Sequence, residues 1–182
     1  MKLRDLHEGI PSQIAMMNSF NAKHMREKFP NTLNLWQYWL DHAKEYTGIQ
    51  KGDWKMEMKQ CYTNSATLAL ARPEDIKYME GYFDFKGLPI GHAWVEQKGV
   101  MKDYTLSEDL GVLSKYHYYG IHIPTKLVEM ATRSRYWTIS AGALMTLQSM
   151  ILRDEKGKIE NIVRKEFGLP LVATPPKVKE KK

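Results

Sequence analysis

Tyr78-Met79-Glu80-Gly81-Tyr82-Phe83-Asp84-Phe85 changes character at every step, with Met79, Gly81, Phe83 and Phe85 on one side of an extended chain and Glu80 and Asp84 on the other. A period of two over eight residues predicts a half-buried strand. Lys86-Gly87-Leu88-Pro89 supplies turn chemistry, residues 92–97 predict a second strand, Lys98-Gly99 a tight turn and residues 100–105 a third strand. The expected unit is an antiparallel meander. Further on, residues 116–123 are aromatic and β-branched enough for another strand, ending at Pro124.

Helices flank this sheet on both sides in sequence. Ser12 is placed to cap a helix through Lys28, and Pro30-Asn31-Thr32 separates it from a second helical stretch ending near Gly48. In that stretch Leu33, Trp36, Tyr38, Trp39, Leu40, Ala43 and Tyr46 recur mostly at helical spacing, an aromatic face whose common use is core packing. Residues 48–59 read as a connection. A helix over 61–71 is stopped by Arg72-Pro73, because proline restricts its predecessor and cannot continue the ladder. Helices over 125–133, 140–152 and 158–167 follow, the last ended by Gly168 and Pro170. The class expected is α+β.

A chain of 182 residues fits one domain and buries roughly 70% of its unfolded surface, enough for a core without staples. Residues 1–174 are expected to form it, with 175–182 as a disordered basic tail. The net charge of +6 invites a nucleic-acid reading, but the tail's four lysines against one glutamate supply +3 of it. Nucleic-acid binding is therefore not expected to be the main function. The single cysteine, Cys61, excludes an intrachain disulfide framework and fits a reducing compartment. Residues 1–8 carry charges where a signal peptide needs its apolar stretch, and the best apolar run, 139–152, is too short to span a bilayer. A cytoplasmic protein without a membrane partner is expected. No Gly-rich phosphate loop or dinucleotide fingerprint is present, and neither a cofactor nor a metal is called for. His117 and His122, with Cys61 and His92, make only a weak zinc pattern lacking paired-cysteine spacing.

The chemistry-bearing residues converge on Cys61. The start of a helix offers free N–H groups and a partial positive charge, which favour a thiolate and can hold the oxyanion of a tetrahedral intermediate. Gln60, beside it, is a candidate side-chain donor. A nucleophile also needs a base oriented by a third group. If the second hairpin turns about Lys98-Gly99, residue i lies opposite residue 197 minus i, which puts His92 one diagonal step from Asp103. Asn64, one helical turn beyond Cys61, is a candidate for support or capping. Trp94 is expected on the same side as His92, where it can shield a His–Asp bond or serve as core. Tyr82 and Tyr118 are candidates to line a cleft. Taken singly, each residue has a plain structural reading: a lone cysteine as a small buried hydrophobe, a strand histidine, an edge aspartate.

Lys59-Gln60-Cys61-Tyr62-Thr63-Asn64-Ser65, Tyr78-Met79-Glu80-Gly81-Tyr82, Pro89-Ile90-Gly91-His92-Ala93-Trp94 and Asp103-Tyr104-Thr105 together resemble the Cys, His-Ala-Trp, Asp-x-Thr order of papain-like and transglutaminase-like proteins. These include NlpC-type members and small bacteriophage and bacterial relatives. The resemblance covers residues 59–123. It implies a papain-like α+β fold, with N-terminal helices and a Cys-bearing helix packed on an antiparallel sheet, followed by C-terminal helices. It also implies Cys61 as nucleophile, His92 as base and Asp103 as orienter of the base. The glycine or tryptophan usual beside the nucleophile is absent, which leaves the second oxyanion donor unassigned.

The expected activity is thiol-dependent acyl chemistry, either amide or isopeptide hydrolysis, deamidation or acyl transfer, on a protein or peptide substrate. The weakly basic surface favours an acidic partner. The rival expectation is a non-catalytic protein-binding module of the same fold, such as a phage-type modulator of a host protein, acting in the host cytoplasm with exposed aromatics as anchors.

Overall fold

The computed structural model describes residues 11–53, 56–106 and 115–172. Within them the order is α1 (Ser12–Lys28), α2 (Leu35–His42), β1 (Lys44–Tyr46), β2 (Gln50–Lys51), α3 (Cys61–Ala71), β3 (Ile76–Phe85), β4 (Leu88–Gln97), β5 (Val100–Asp103), β6 (Tyr118–Ile123), α4 (Thr125–Thr132), α5 (Ala143–Leu152) and α6 (Lys158–Glu166). The class is α+β, as expected. The strands form one sheet in the order β1-β6-β3-β4-β5-β2.

The meander forms because both of its turns are built for it. Lys86 and Gly87 (φ 53° and 85°) and Lys98 and Gly99 (φ 52° and 82°) place two successive residues in the left-handed region, the backbone of tight hairpin turns that match the twist of the flanking strands. Around Lys98-Gly99 the register pairs Val95 with Lys102 and Gln97 with Val100, the register expected. The sheet departs from a simple meander at its edges. β6 returns to pair with β3, and β2 runs parallel to β5, so the sheet is mixed and not purely antiparallel.

The first amino-terminal helix has the expected extent, and the second is shorter than its periodicity predicts. Pro11 holds the cap position of α1 and Ser12 is its first helical residue. α2 is capped by Asn34, whose side chain accepts a bond from Gln37 N at 3.2 Å, and it ends at His42 where the stripe continues to Tyr46. Residues 44–46 leave the helix because the open edge of β6 offers their backbone a ladder, Lys44 opposite Gly120 and Tyr46 opposite Tyr118. Sheet pairing overrides helical spacing there.

Both faces of the sheet are covered. Tyr78, Ala93, Val95, Ile121 and Ile123 pack with helix residues including Trp39, Ala69, Leu127, Leu147 and Val163. On the opposite face Met79, Phe83, Trp94 and Tyr118 form a smaller, aromatic cluster with Ile49. Glu80, expected on a solvated side, lies instead among the helices at 6% exposure. Its carboxylate accepts Ala143 N at 2.6 Å, Leu144 N at 3.2 Å and the Tyr78 hydroxyl at 2.8 Å. It thus caps α5 from across the fold, and α5 begins at Ala143, three residues later than expected. A Cβ on Gly142 would sit 2.3 Å from that carboxylate, so only glycine lets the two meet. Burial raises the Glu80 pKa to about 7, against the hydrogen bonds from Tyr78, Leu144 and Ala143.

The two ends of the described chain are joined through polar side chains. Gln148 accepts Leu35 N at 2.8 Å and donates to Leu33 O at 3.0 Å, and Glu160 accepts Leu33 N at 3.0 Å. Residues 175–182, expected as a basic tail, lie outside the described residues. Among the described residues no helix is long and apolar enough to cross a membrane.

Candidate active site

α3 begins at Cys61 because the backbone turns sharply before it: Lys59 has φ 64°, a strained conformation for a residue other than glycine, and Gln60 sits at the cap position with φ −115°. The first intrahelical bond runs from Asn64 N to Gln60 O at 2.8 Å, so the N–H groups of Cys61, Tyr62 and Thr63 make none within the helix. The Gln60 side chain does not cap them. Cys61 is 9% exposed, at the floor of an open cavity of about 580 Å³ lined by Met58, Phe83, Ile90, His92, Leu106 and Ile139, among others.

β4 and β5 supply the other two groups. With Trp94 opposite Asp103 by continuation of the hairpin register, His92 and Asp103 lie on the same face and meet diagonally. His92 Nε2 lies 2.6 Å from Asp103 Oδ2, with both side chains buried. The Cys61 thiol and the His92 ring line the same cavity, and the neighbouring thiol is among the groups that favour the ring's proton. Nε2 faces Asp103, so Nδ1 is the ring nitrogen that the carboxylate does not engage.

Asp103 is held on every side. Its Oδ1 accepts Thr105 N at 2.8 Å and Leu106 N at 3.1 Å, and its Oδ2 accepts the Tyr118 hydroxyl at 3.0 Å. Burial disfavours its charge, but His92 and these backbone donors outweigh that and lower its pKa. For His92 burial works against the proton, whereas the Asp103 carboxylate and the neighbouring Cys61 raise the pKa to about 10. The carboxylate at 2.6 Å outweighs the burial that disfavours the ring's charge.

The remaining predicted residues divide between support and core. Asn64, buried, donates to Glu57 O at 2.7 Å and to Thr105 Oγ1 at 3.0 Å, linking the first turn of α3 to the residue that fixes Asp103. Trp94 shares the face of His92 but is fully buried, edge-on to Tyr118 at 5.1 Å, and its Nε1 has no partner among the described residues. It is core behind the pair. Tyr118 braces Asp103 and does not line the cavity, and Tyr82 points elsewhere, its hydroxyl 3.3 Å from Asn18 Oδ1. The sequence reading missed Tyr118 as a partner of Asp103 because it depends on β6 returning beside β3, a long-range pairing without a local signal.

His117 bonds to Glu45, and among the described residues no group of three His, Cys, Asp or Glu is gathered to hold a metal. No protein-family model, characterised protein or solved structure matches the chain.

Proposed function

We propose that the chain performs thiol-dependent acyl chemistry on a papain-like or transglutaminase-like scaffold, with Cys61 as nucleophile, His92 as base and Asp103 as its orienter. One observation carries the reading: a single imidazole, bonded to a buried carboxylate, lines the same cavity as the only thiol of the chain, which sits at a helix start. His92 takes the Cys61 proton, and the sulfur attacks the carbonyl carbon of an acyl donor. Negative charge then gathers on the carbonyl oxygen, beside N–H groups of the first turn of α3 that are free of helix bonds. The intermediate collapses as the leaving amine or alcohol departs with the proton from His92, and a thioester to Cys61 remains. Water or a second amine, deprotonated by His92, attacks that thioester and restores the thiol. Asp103 keeps the imidazole aligned and stabilises its charged form throughout.

The test is alkylation of Cys61 by iodoacetamide at neutral pH, followed by intact mass. In the folded protein it is expected to run faster than in urea, and His92→Asn, checked for folding by circular dichroism, is expected to slow it by at least about tenfold. Alkylation no faster in the folded state and indifferent to His92→Asn would sink the reading. A second reading, a binding module of the same fold, draws on Met16 and Phe20 of α1, which are 69% and 72% exposed. It predicts a biological effect that survives Cys61→Ala.

A further inference from the structure

The cavity above Cys61 has walls unlike those of a site for a small or charged acyl group. Met58 comes from the segment before α3, Phe83 from β3, Ile90 from β4, Leu106 from the chain after β5 and Ile139 from the loop before α5. Five elements thus each place one large apolar side chain around one thiol. Three of these residues are left substantially in water, Met58 at 47%, Ile90 at 41% and Ile139 at 59%. Single exposed apolar residues are ordinary on a protein surface, but their convergence on one cavity is not.

The polar groups are few. Among the described lining residues the charged side chains are Lys59 and His92 and none is a carboxylate; Asp103 is turned inward onto its donors. An amine-bearing acyl group would lose its water and gain no counter-charge from these residues. A volume of about 580 Å³ is that of sites that enclose small molecules, larger than an acetyl group can fill.

We propose that the acyl donor presents a bulky apolar acyl chain, seated between Ile90, Ile139, Met58 and Leu106 with its carbonyl carbon over Cys61. This rests on the thiol reading above and adds to it the class of acyl group. Transfer of each methylene from water to such walls stabilises the bound donor by an amount equal to about a fourfold gain in rate constant. The covalent step is the one already written: a bond forms between Cys61 sulfur and the acyl carbon, and the alcohol or amine leaves with the proton from His92.

The experiment uses the full chain and 4-nitrophenyl esters of acetate, butyrate, hexanoate and octanoate. Acylation of the single cysteine is followed by intact mass, each rate constant being divided by that of the same ester with N-acetylcysteine. Normalised rate constants are expected to rise more than tenfold from acetate to butyrate and again from butyrate to hexanoate. Ile90→Asp and Ile139→Asp, both at exposed positions, are expected to flatten that rise. A flat or falling series in the unmodified protein, with acetate still reacting through His92-dependent chemistry, overturns the apolar chain and leaves the thiol reading standing. Failure of every ester to acylate Cys61 in folded protein overturns both.

Discussion

The pairing of His92 with Asp103 ties chemistry and stability to the same bond. His92 ordinarily titrates near 6.5 and is held at about 10 in the fold, so its contribution is complete below pH 6.5 and is lost as pH rises through 10. Asp103 is lowered from 3.8, so its contribution is present above that value and is lost as pH falls through its folded pKa. The pair therefore supports the fold fully between about pH 4 and 6.5. In Asp103→Asn the carboxylate that raises His92 is gone while the burial that lowers it remains. With only Cys61 still favouring its charge, the ring is then expected to titrate well below 10, followed by proton NMR of its C–H resonances, and a ring still charged at pH 9 would contradict the assignment of Asp103 as its partner. At this scale the sequence was unusually legible. A two-residue turn at Lys98-Gly99 sets the expected pairing and puts His92 one diagonal step from Asp103, but the face each side chain takes was not legible; the observed register puts both on one face. The proline after residue 72 likewise sets the far end of α3, and the near end falls on Cys61. Tyr118 was not legible as a brace, since a hydroxyl bond 15 residues from Asp103 follows from tertiary pairing and not from local pattern.

At the scale of elements, what sequence periodicity missed was what one element does for another. Glu80 reads as a solvent-facing residue because alternation assigns it the side opposite Met79 and Phe83, yet both sides of β3 are covered and the carboxylate serves as the cap of α5. The helix needs it, since Gly142 at the cap position has no side chain to satisfy the first N–H groups. The arrangement has a pH signature. Glu80 binds its proton more tightly in the fold, at about 7 against 4.5, so stability falls as pH rises through that window. The loss is on the order of 3 kcal/mol if no other group compensates. Glu80→Gln, which keeps one acceptor and cannot ionise, is expected to remove that slope in urea unfolding measured at pH 4.5, 5.5, 6.5 and 7.5. An undiminished slope would show that another group is responsible. Glu80→Ala is expected to cost about 2–4 kcal/mol across the same range by leaving buried N–H groups without an acceptor. The lost end of α2 and the added strand β1 have the same kind of cause: Tyr46 continues the helical stripe, and an unfilled sheet edge takes its backbone instead.

Across the whole molecule, the amino-terminal helices and the carboxy-terminal pair are held to one another by Gln148 and Glu160, residues that composition and periodicity would leave on a helix surface. Gln148 meets both the N–H of Leu35 and the carbonyl of Leu33, and Glu160 meets Leu33 N while bonding Arg164 at 2.8 Å. These contacts fix the entry to α2, whose Trp39 is fully buried beneath β3 with its Nε1 directed at Glu80 O, 3.4 Å away. The consequence is that the larger of the two core clusters draws on both ends of the described chain, Ile14 and Trp39 with Leu147 and Val163, and α3 and β4 of the candidate site contribute to the same cluster. Gln148→Leu preserves side-chain bulk but leaves a buried N–H and a buried carbonyl unpaired, which is expected to cost about 2–4 kcal/mol. Because the contact joins the ends rather than decorating one helix, the loss is expected to shift a single unfolding transition, with tryptophan fluorescence and far-ultraviolet circular dichroism still superimposing in urea. Two separated transitions in the variant, with the first releasing only the carboxy-terminal helices, would mean that α5 and α6 are an appendage and that the sheet carries the Cys61 site without them.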